Sequence, residues 1–340
     1  MPPLRTPAPV PSPTPVSRRA AVVDRVGPAD TIRLTALPVP GLGPDEVLVA
    51  VEAATVNPVD GYVRSGRYDT PIPFPFILGR DLVGTVVATG SAVRSFRPGD
   101  AVWANSLGHQ GRQGSFTDLA VVAEDRLYAV PAGADRETLV AVAHPAITAY
   151  LAWFVHAAVR KEWTVYVGGA AGNVGTAAIQ LARRAGVRVV AGCRPANAPR
   201  CRAAGADAVV DDRAPDLAAQ VSGAAPGGVQ VWWDTAGGND FRVAAAATAT
   251  GGRVLVTAAR VASPEMSWAP LYTRDITVQG FVLSRATSAQ LAAGAQLINR
   301  MVVEGSLTTR IAGRYPLAAA AEAHRRIEDG PVDGRLLVLP

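Results

Sequence analysis

The chain has 340 residues, of which 49% are hydrophobic and 18% charged, and its net charge is +5. This length supports about two domains, and the hydrophobic content excludes a wholly disordered protein. The basic residues are scattered and form no run of the kind that binds nucleic acid, so we expect a solvated basic surface and no nucleic-acid partner.

The N-terminal residues have the composition of a tail outside the fold. The first sixteen residues contain seven prolines and no apolar segment. They are therefore not a signal peptide, and we expect a disordered Pro-rich tail over residues 1–17. Cys193 and Cys201 are the only cysteines, too few for a disulfide framework. Such cysteine usage is typical of a reducing compartment, and we expect a cytoplasmic protein.

Residues 18–145 carry the pattern of a mostly β domain. Short runs rich in β-branched residues alternate with turns such as Pro98-Gly99-Asp100. The predicted strands include Val47–Val51, Leu82–Thr89, Ala101–Trp103, Phe116–Val122 and Leu127–Val130. Short strands at close spacing favour a small β-barrel.

An apolar stretch covers Thr138–Val159, which is 22 residues long and contains no Asp, Glu, Lys or Arg. This length is enough to cross a bilayer. Pro145 interrupts the stretch, however, and no basic cluster flanks it. We therefore expect a pair of buried helices, kinked at Pro145, and no contact with a membrane.

Helices and strands alternate through residues 146–283. The predicted helices are Ala146–Ala158, Val174–Ala185, Pro199–Ala204 and Asp216–Ser222, and the predicted strands are Thr164–Val167, Arg188–Ala191, Ala208–Val210, Val229–Trp233, Arg253–Val256 and Ile276–Phe281. This alternation predicts an α/β domain in which helices cover both faces of a doubly wound parallel sheet. Residues 284–340 continue with helices over Ser288–Glu304 and Leu317–Glu328 and a final strand over Arg335–Leu339, and we expect this segment to return to the first domain.

A glycine-rich turn, Gly168–Gly175, lies between a predicted strand and a predicted helix. Its last six residues follow the A-x-G-x-x-G form of the dinucleotide fingerprint, in the strand–turn–helix context that the fingerprint requires. Glycine lets the backbone approach a pyrophosphate and the helix approach the strand, while free N–H groups at the helix N-terminus bind the phosphates. We therefore predict a dinucleotide site at Gly169, Gly172, Asn173, Val174 and Gly175.

The residues after the second strand of this domain favour NADPH over NADH. In NAD-binding enzymes an acidic residue about 20 positions further on binds the ribose 2′-hydroxyl, but residues 176–206 contain no Asp or Glu. Arginines occupy this segment instead, and a guanidinium attracts the 2′-phosphate that a carboxylate repels. We predict that Cys193, Arg194 and Arg200 lie beside the adenosine of NADPH. The alternative is that the arginines are solvated and the site accepts either cofactor.

Metal ligands are scarce in the first part of the chain. Before position 140 the chain has no cysteine and a single histidine, His109. A catalytic zinc of the alcohol dehydrogenase type needs Cys or His ligands there. We therefore predict no metal site, and we place His109 in a surface or substrate loop.

Four segments carry a family resemblance: Val56–Tyr68, Leu78–Gly84, Gly111–Phe116, and the glycine turn with the preceding Ile147–Tyr150. Together they resemble the zinc-independent branch of the medium-chain dehydrogenase/reductase superfamily, in particular NADPH:quinone oxidoreductases of the zeta-crystallin type. The resemblance covers about residues 20–340. It implies a GroES-like β-barrel catalytic domain and a Rossmann domain with the active site between them, and a homodimer or homotetramer.

The resemblance also bears on the metal. Where zinc-dependent members carry a ligand cysteine, this chain has Asn57-Pro58-Val59-Asp60, and where they carry Gly-His-Glu it has Gly79-Arg80-Asp81. Without a metal, we expect direct hydride transfer from NADPH to a quinone or an α,β-unsaturated carbonyl, because both delocalise the developing charge onto oxygen.

Candidate catalytic residues follow from this chemistry and from the resemblance. Asn57 is the candidate for orienting the nicotinamide or the acceptor oxygen, and Tyr68, which matches a tyrosine of the family's enoyl-thioester reductases, is the candidate proton donor. Tyr62 is its backup. The alternatives are that Asn57 caps the turn before Pro58 and that Tyr68 only shapes the pocket. The residues expected beside the nicotinamide are Thr148, Phe281 and Val282.

Other functions stay open at this point. A pathway-specific enoyl or enone reductase of specialised metabolism would need a long apolar pocket, for which the candidates are Trp103, Trp268, Leu271 and Tyr272. A protein that binds NADPH or nucleic acid without turnover is a second alternative. The loops Asn105–Gln113 and Ala259–Leu271 are expected to select the acceptor, and the strand Ile276–Phe281 is the candidate for pairing across a two-fold axis.

Overall fold

The computed structural model describes residues 17–238, 240–258, 265–266 and 268–340. The predicted tail therefore lies outside the described residues except for Ser17, which begins the first strand. Most of the acceptor-selecting loop predicted at Ala259–Leu271 also lies outside them. The described residues form an α/β fold with an antiparallel part and a parallel part.

The N-terminal part is mostly β, as its short strand patterns predict. Its strands are β1 (Ser17–Val23), β2 (Arg33–Pro38), β3 (Glu46–Thr55), β4 (Phe76–Ile77), β5 (Leu82–Thr89), β6 (Ala101–Ala104), β7 (Leu119–Ala123) and β8 (Leu127–Ala129), and a short helix α1 (Pro58–Arg64) follows β3. Strands β2, β1 and β4 form one sheet, and β3, β5, β6 and β8 form the body of a second, to which β7 is added by pairing with β3. The predicted strand Phe116–Val122 begins three residues late, at Leu119.

The apolar stretch forms one helix where the sequence predicts a pair. Helix α2 (Arg136–Tyr150) begins after Asp135, whose side chain accepts the Thr138 N–H at 2.7 Å, and it includes Pro145. A π-helical turn, Leu151–His156, follows directly. A proline inside a helix removes a backbone hydrogen bond, but the residues on both sides of Pro145 are buried in the core, and this burial holds the helix together across the proline.

Among the described residues, one helical stretch, Arg136–His156, has the length and composition to cross a membrane, and 72% of its most apolar window is buried inside the protein. It packs against β3 and against the two helices α3 (Asn173–Arg184) and α8 (Ser288–Val303). These contacts are those of a core helix.

The second part is a six-stranded sheet, and every strand pairing in it is parallel. Its strands are β9 (Thr164–Gly168), β10 (Arg188–Cys193), β11 (Ala208–Asp211), β12 (Val229–Asp234), β13 (Thr248–Val256) and β14 (Thr277–Gly280), in the spatial order β11-β10-β9-β12-β13-β14. The helices between them are α3, α4 (Ala198–Ala204), α5 (Leu217–Ala224), α6 (Phe241–Ala247) and α7 (Trp268–Thr273). Helices α6 and α7 were not predicted.

Strand order reverses at β9, which lies between β10 and β12. Gly168 at the end of β9 is level with Gly192 of β10 and Asp234 of β12. Ligands of open parallel sheets bind at the carboxyl ends of the strands where the order reverses. The glycine turn follows β9 at this point.

The last segment of the chain returns to the N-terminal sheet. After α8 come β15 (Ile311–Pro316), α9 (Ala320–Glu328) and β16 (Arg335–Leu339). Strand β16 has the bounds that the sequence predicts, and it pairs with both β15 and β3. The last strand of the chain thus belongs to the same sheet as β3. Helix α2, which carries the predicted domain boundary at residues 145 and 146, is continuous through that boundary.

Candidate active site

The turn between β9 and α3 has no room for side chains at two of its glycines. Gly169 has a φ of +63°, a conformation that favours glycine. A Cβ atom at Gly175 would lie 2.5 Å from the Gly169 carbonyl oxygen and 2.6 Å from Ala170 Cα. Helix α3 therefore packs directly on the turn, as the fingerprint requires.

The N-terminus of α3 offers donors to a ligand. Gly172 precedes the helix, its N–H donates to the Gly169 carbonyl at 2.9 Å, and no side chain caps the helix start. The N–H groups of Asn173, Val174 and Gly175 therefore have no acceptor within the helix. Among the described residues, the buried Asn173 Oδ1 is also without a partner, although Asn173 Nδ2 donates to the Gly334 carbonyl at 3.1 Å. The three backbone N–H groups fit a dinucleotide pyrophosphate, whereas Asn173 Oδ1, as an acceptor, would need a donor such as a ribose hydroxyl.

A cavity of about 420 Å³ lies beside the turn. Gly168, Asp212 and Asp234 line it, and both carboxylate oxygens of Asp234 accept backbone N–H groups, from Ala236 at 2.8 Å and Gly238 at 2.7 Å. Burial, followed by the neighbouring Asp211, raises the pKa of Asp212. The cavity has the size and position expected for the adenosine of a bound dinucleotide.

The two arginines predicted beside the adenosine have different surroundings. Arg194 is exposed and directly follows β10. It forms no ion pair within 4.0 Å among the described residues, although it lies near enough to Asp212 to oppose the rise of the pKa of that carboxyl. Arg200 is only 24% exposed at its side chain and forms an ion pair with Asp333. Cys193 is buried at the end of β10. Arg194 is thus free to meet a phosphate, whereas Arg200 already has an anionic partner.

Asn57 lies in a buried polar network rather than on an open surface. Its side chain is fully enclosed, and its Nδ2 donates to Asp81 Oδ2 at 2.8 Å while its Oδ1 accepts from Arg335 at 2.8 Å. Thr55 Oγ1 donates to the same Asp81 oxygen at 2.8 Å and accepts from Arg335 at 2.8 Å. We call Thr55, Asn57, Asp81 and Arg335 the Asn57 network.

Asp60 and His144 border the Asn57 network. Asp60 accepts the Asn57 backbone N–H at 2.8 Å, which is one half of a capping box at the start of α1. Burial raises the pKa of Asp60 to about 7, against the opposing effect of Arg80. His144 Nδ1 lies 3.7 Å from Asp81 Oδ1. Burial alone would raise the pKa of Asp81, but His144, Arg335 and Asn57 hold it below its usual value.

Tyr68 is half-buried between the imidazole of His109 and the guanidinium of Arg80. Its ring lies edge-on to His109 with the centroids 5.6 Å apart, and the Arg80 guanidinium lies 5.7 Å from the Tyr68 centroid. Burial, followed by Arg80 and three further arginines, lowers the pKa of His109 to about 4, so this histidine is neutral at pH 7. Tyr62, the predicted backup, is 49% exposed. Tyr68 is therefore the better placed of the two tyrosines.

The residues predicted beside the nicotinamide lie on two different elements. Thr148 is in helix α2, and Phe281 and Val282 follow strand β14. Thr148 Oγ1 donates to the His144 carbonyl at 2.9 Å, one helical turn earlier in α2. Phe281 directly follows β14 and stacks on His156 at 4.3 Å. Two residues beyond Val282, Ser284 accepts a hydrogen bond from Arg80 at 2.7 Å. This last bond connects the segment after β14 to the Tyr68 side of the site.

Comparisons with known proteins agree with this arrangement. Residues 43–132 match the family model described as an alcohol dehydrogenase GroES-like domain, and residues 173–300 match the one described as a zinc-binding dehydrogenase. A chloroplast envelope quinone oxidoreductase homolog of Arabidopsis thaliana is 30% identical over 315 residues, which is 89% of this chain and 92% of that protein. The chain belongs to the quinone oxidoreductase family of the medium-chain dehydrogenase/reductase superfamily.

Solved structures of similar proteins cover nearly the whole chain. One described as an NAD-dependent alcohol dehydrogenase has a TM-score of 0.86 and 30% identity, and covers 95% of this chain and 99% of its own. A mycobacterial protein complexed with NADPH has a TM-score of 0.82 and 28% identity, and covers 95% of this chain and 100% of its own. The quinone oxidoreductase family and the α/β fold predicted from the sequence are thus confirmed.

The family comparison also makes the Asn57 network instructive. In and beside this network, the guanidinium groups of Arg80 and Arg335 lie 3.8 Å from Asp60 and 4.0 Å from Asp81, respectively. Within the described ranges, no group of three or more His, Cys, Asp or Glu residues is arranged to hold a metal ion.

Some residues of the site were not predicted from the sequence. Thr55 and Arg335 were missed, because they contact Asn57 only after the chain has folded. His109 was predicted only as part of a surface or substrate loop, and its contact with Tyr68 and the arginines that lower its pKa were not predicted.

The apolar pocket that the enone alternative needs is not formed by its predicted residues. Trp103 is completely buried, packs against Tyr128 and donates to Asn299 Oδ1 at 3.0 Å. Trp268 and Tyr272 are 72% and 74% exposed, and Leu271 packs on a different core cluster from Trp103. Among the described residues, these four side chains therefore do not line one apolar pocket, because the β6 tryptophan lies in the core, and the observation that would have favoured the enone alternative is missing here.

Proposed function

We propose that this protein is an NADPH-dependent oxidoreductase that reduces a quinone or an α,β-unsaturated carbonyl without a catalytic metal, in the cytoplasm. The observation that carries the proposal is the glycine turn between β9 and α3, which leaves three backbone N–H groups of α3 free to bind a pyrophosphate. The family membership and the relative named as a quinone oxidoreductase homolog support the same class of reaction.

The cofactor preference rests on Arg194. This exposed arginine follows the second strand of the parallel sheet, where a 2′-phosphate would lie, and it forms no ion pair among the described residues. Arg200 contributes less than the sequence suggests, because Asp333 already binds it. The mycobacterial structure complexed with NADPH supports this choice.

On the reacting side, this chain's own residues would orient the acceptor and supply a proton. NADPH, when bound, provides the hydride from its nicotinamide. Tyr68, held by Arg80 and His109, is the proposed proton donor to the developing oxyanion. Asn57 is proposed as a positioning residue that fixes Asp81, because its amide is enclosed. Thr148, Phe281 and Val282 are proposed to border the nicotinamide.

Metal-free chemistry is supported by the charges present. Arg80 Nε lies 3.8 Å from Asp60 Oδ1, and Arg335 lies 4.0 Å from Asp81 Oδ2. Two buried guanidinium groups beside the two carboxylates repel a divalent cation. The region that corresponds to a zinc site in relatives therefore suits a polar network better than a metal.

The test is the oxidation of NADPH and NADH by the purified chain, with 1,4-benzoquinone and 2-cyclohexenone as acceptors. We expect turnover of at least one acceptor and a preference for NADPH. Arg194→Gln should reduce the ratio of kcat/KM for NADPH to that for NADH by about tenfold or more. Arg188→Gln is the matched control, because Arg188 is exposed at the opposite end of the same strand.

Two outcomes would count against the proposal. Absence of turnover with both acceptors and both cofactors would refute the reaction class. A wild-type preference for NADH, or equal effects of Arg194→Gln and Arg188→Gln, would refute the cofactor assignment.

Assembly into a homodimer or homotetramer is proposed through β14. This strand is at the edge of the six-stranded sheet and pairs only with β13 among the described residues. The neighbouring helix α7 exposes Trp268 and Tyr272. An exposed edge strand with adjacent aromatic residues suits pairing with a second copy, and light scattering on the purified chain measures the resulting mass.

A further inference from the structure

Arginine side chains are concentrated around His109. Besides burial, the causes that lower the pKa of His109 to about 4 are the positive charges of Arg80, Arg112, Arg126 and Arg285. We call these four residues the arginine cluster. They come from four separate segments of the chain, so only the fold brings them together.

Backbone and side-chain hydrogen bonds connect the segments that carry Arg80, Arg112 and Arg285. Arg112 belongs to the loop that contains His109, and its N–H donates to the His109 carbonyl at 3.2 Å. The Arg80 carbonyl accepts the Leu107 N–H at 3.0 Å, at the beginning of the same loop. Arg285 follows Ser284, which accepts a hydrogen bond from Arg80 at 2.7 Å. Three segments therefore meet beside His109: the loop Asn105–Gln113, the segment that follows β14, and the connection between β4 and β5 that carries Arg80.

The arginine cluster contains donors without acceptors. Four guanidinium nitrogen atoms are buried and have no hydrogen-bond partner among the described residues: Nε and Nη2 of Arg80, Nε of Arg112 and Nη1 of Arg126. Arg80 is 1% exposed as a whole. Buried polar groups are nearly always paired, because an unpaired one carries a desolvation penalty of about 1–3 kcal/mol. Several unpaired guanidinium atoms together indicate that a bound group completes them.

Neutral polar groups at the same place are unpaired as well. Both amide atoms of Asn105 and the Oγ of Ser106 are buried without partners among the described residues, and both residues are fully enclosed. They lie at the start of the loop that ends at Gln113, which the sequence indicates as acceptor-selecting. A ligand with both acceptor and donor atoms would satisfy them.

The charge of the arginine cluster is not balanced. Asp60 Oδ1 lies 3.8 Å from Arg80 Nε, and Asp125 is the residue before Arg126 in the chain. Asp125 also accepts a hydrogen bond from Ser288 at 2.5 Å. Burial, followed by Arg126 and Arg80, lowers the pKa of Arg112 to about 10. Among the described residues, Arg112 and Arg126 form no ion pair with these carboxylates, and of the four arginines only Arg285 is exposed. The cluster therefore carries an excess of positive charge.

We propose that the acceptor of this enzyme carries an oxyanion group, a carboxylate or a phosphate, and that the arginine cluster binds it beside Tyr68. This inference rests on the proposed function and narrows its substrate class. Because Arg80 lies 5.7 Å from the Tyr68 ring, an anion bound to Arg80 would lie within a few bonds of a carbonyl that Tyr68 protonates. Guanidinium groups bind carboxylate and phosphate with paired hydrogen bonds.

The experiment compares two acceptors that differ only in charge. 6-Oxohept-4-enoic acid and its methyl ester contain the same enone, separated from the acid group by two methylene carbons. We expect the wild-type kcat/KM to be higher for the acid by on the order of 10- to 100-fold, the range of hydrogen bonds to a charged group. Most of the difference should lie in KM, since the anion contributes binding rather than chemistry.

Variants locate the effect. Arg112→Gln and Arg126→Gln should each reduce the acid-to-ester ratio of kcat/KM by about tenfold, and Arg112→Lys should restore part of it. Arg97→Gln is the control, because Arg97 is 88% exposed at its side chain and lies in the turn after β5. It should keep the wild-type ratio.

A binding measurement separates the two sources of the anion and does not depend on turnover. Inorganic phosphate and succinate are titrated against the wild type and Arg112→Gln, with the thermal unfolding midpoint as readout. Stabilisation of the wild type alone by phosphate assigns a phosphorylated acceptor, and stabilisation by succinate assigns a carboxylate.

Outcomes for the two proposals are distinct. Equal kcat/KM for the acid and the ester, with no stabilisation of the protein by phosphate or succinate, would overturn the inference of an anionic acceptor. Turnover of benzoquinone in the same experiment would still support the proposed function. No turnover of any acceptor would overturn the proposed function, and stabilisation by anions that is lost in Arg112→Gln would still support the binding site.

Discussion

Two buried polar regions of this protein, the Asn57 network and the arginine cluster, lie side by side and differ in how they are completed. In the Asn57 network, the amide of Asn57 and the hydroxyl of Thr55 have all their main partners within the chain. In the arginine cluster, atoms of three arginines have none among the described residues. The Asn57 network also contains unpaired buried atoms, Asp81 Oδ1 and Arg335 Nε, but these belong to residues of opposite charge whose side chains lie 4.0 Å apart. The unpaired guanidinium atoms of the arginine cluster are all donors of like charge, and this excess of like-charged donors, rather than burial alone, indicates a ligand-binding site.

The strongest test of the comparison is Asp81→Asn. This change removes the charge that Arg335 faces at the centre of the Asn57 network, and breaking a buried pair in this way destabilises proteins by about 3–5 kcal/mol. Urea unfolding of the purified variant measures the loss. Glu137→Gln is the control, because its ion pair with Arg314 is partly exposed and should contribute less than about 1 kcal/mol. If the free energy of unfolding falls as little for Asp81→Asn as for Glu137→Gln, the Asn57 network does not stabilise the fold.

Tyr68→Phe sharpens the boundary between the two regions. The ring contacts with Arg80 and His109 are kept, and only the hydroxyl is removed. If the hydroxyl donates the proton, kcat for enone reduction falls by about 100-fold, while the Kd for NADPH and the thermal unfolding midpoint stay the same. Full turnover on both quinone and enone would leave Tyr68 as a wall of the pocket only.

The pH dependence of stability tests Asp60, which borders both regions. Its pKa is raised to about 7 in the folded protein, so the folded state keeps the proton at pH values where the unfolded state has lost it. The contribution to stability is full below the usual Asp range, and it decreases as the pH rises through about 7, with a slope of at most about 1.4 kcal/mol per pH unit. Asp60→Asn should remove this slope.

The measurement is the free energy of unfolding in urea between pH 5 and pH 8, for the wild type and for Asp60→Asn. Asp69→Asn serves as the control at an exposed position. If the wild type and Asp60→Asn keep parallel profiles, the carboxyl titrates in its usual range and the burial argument for Asp60 is wrong.

The smallest expected effect belongs to Arg112→Gln. Removing one of several like charges relieves repulsion, so we expect stability to be unchanged or increased by up to about 1 kcal/mol. The pKa of His109 should rise from about 4, as measured by NMR with His109→Gln for assignment. A loss of stability comparable to that of Asp81→Asn would mean that the arginine cluster is structural, like the Asn57 network.

Local patterns predicted the parts of the molecule that local forces determine. The glycine turn between β9 and α3 and the bounds of β16 follow from strand patterns and from a helix start that needs glycine. The continuation of α2 through Pro145 does not, because only the surrounding core compensates the missing hydrogen bond.

The candidate site was harder to predict for a related reason. Asn57 was recognised as important from its motif, but its partner Arg335 is 278 residues away in the chain. The arginine cluster likewise combines four separate segments. Residue spacing carries no information on such pairings, so the sequence identified the types of residue in the site and not the contacts that assign their roles.

Residues 333–335 contact both the parallel-sheet part and the N-terminal part of the protein. Asp333 binds Arg200, the Gly334 carbonyl accepts from Asn173 of α3, and Arg335 completes the Asn57 network. During synthesis on the ribosome, these residues emerge after β3, α3 and the strands of the parallel sheet. Thr55 and Asn57 therefore lack the guanidinium of Arg335 until β16 has been made, and a nascent chain that stops short of β16 leaves the Asn57 network incomplete. A chaperone or a protease would thus recognise an incomplete chain by its N-terminal sheet.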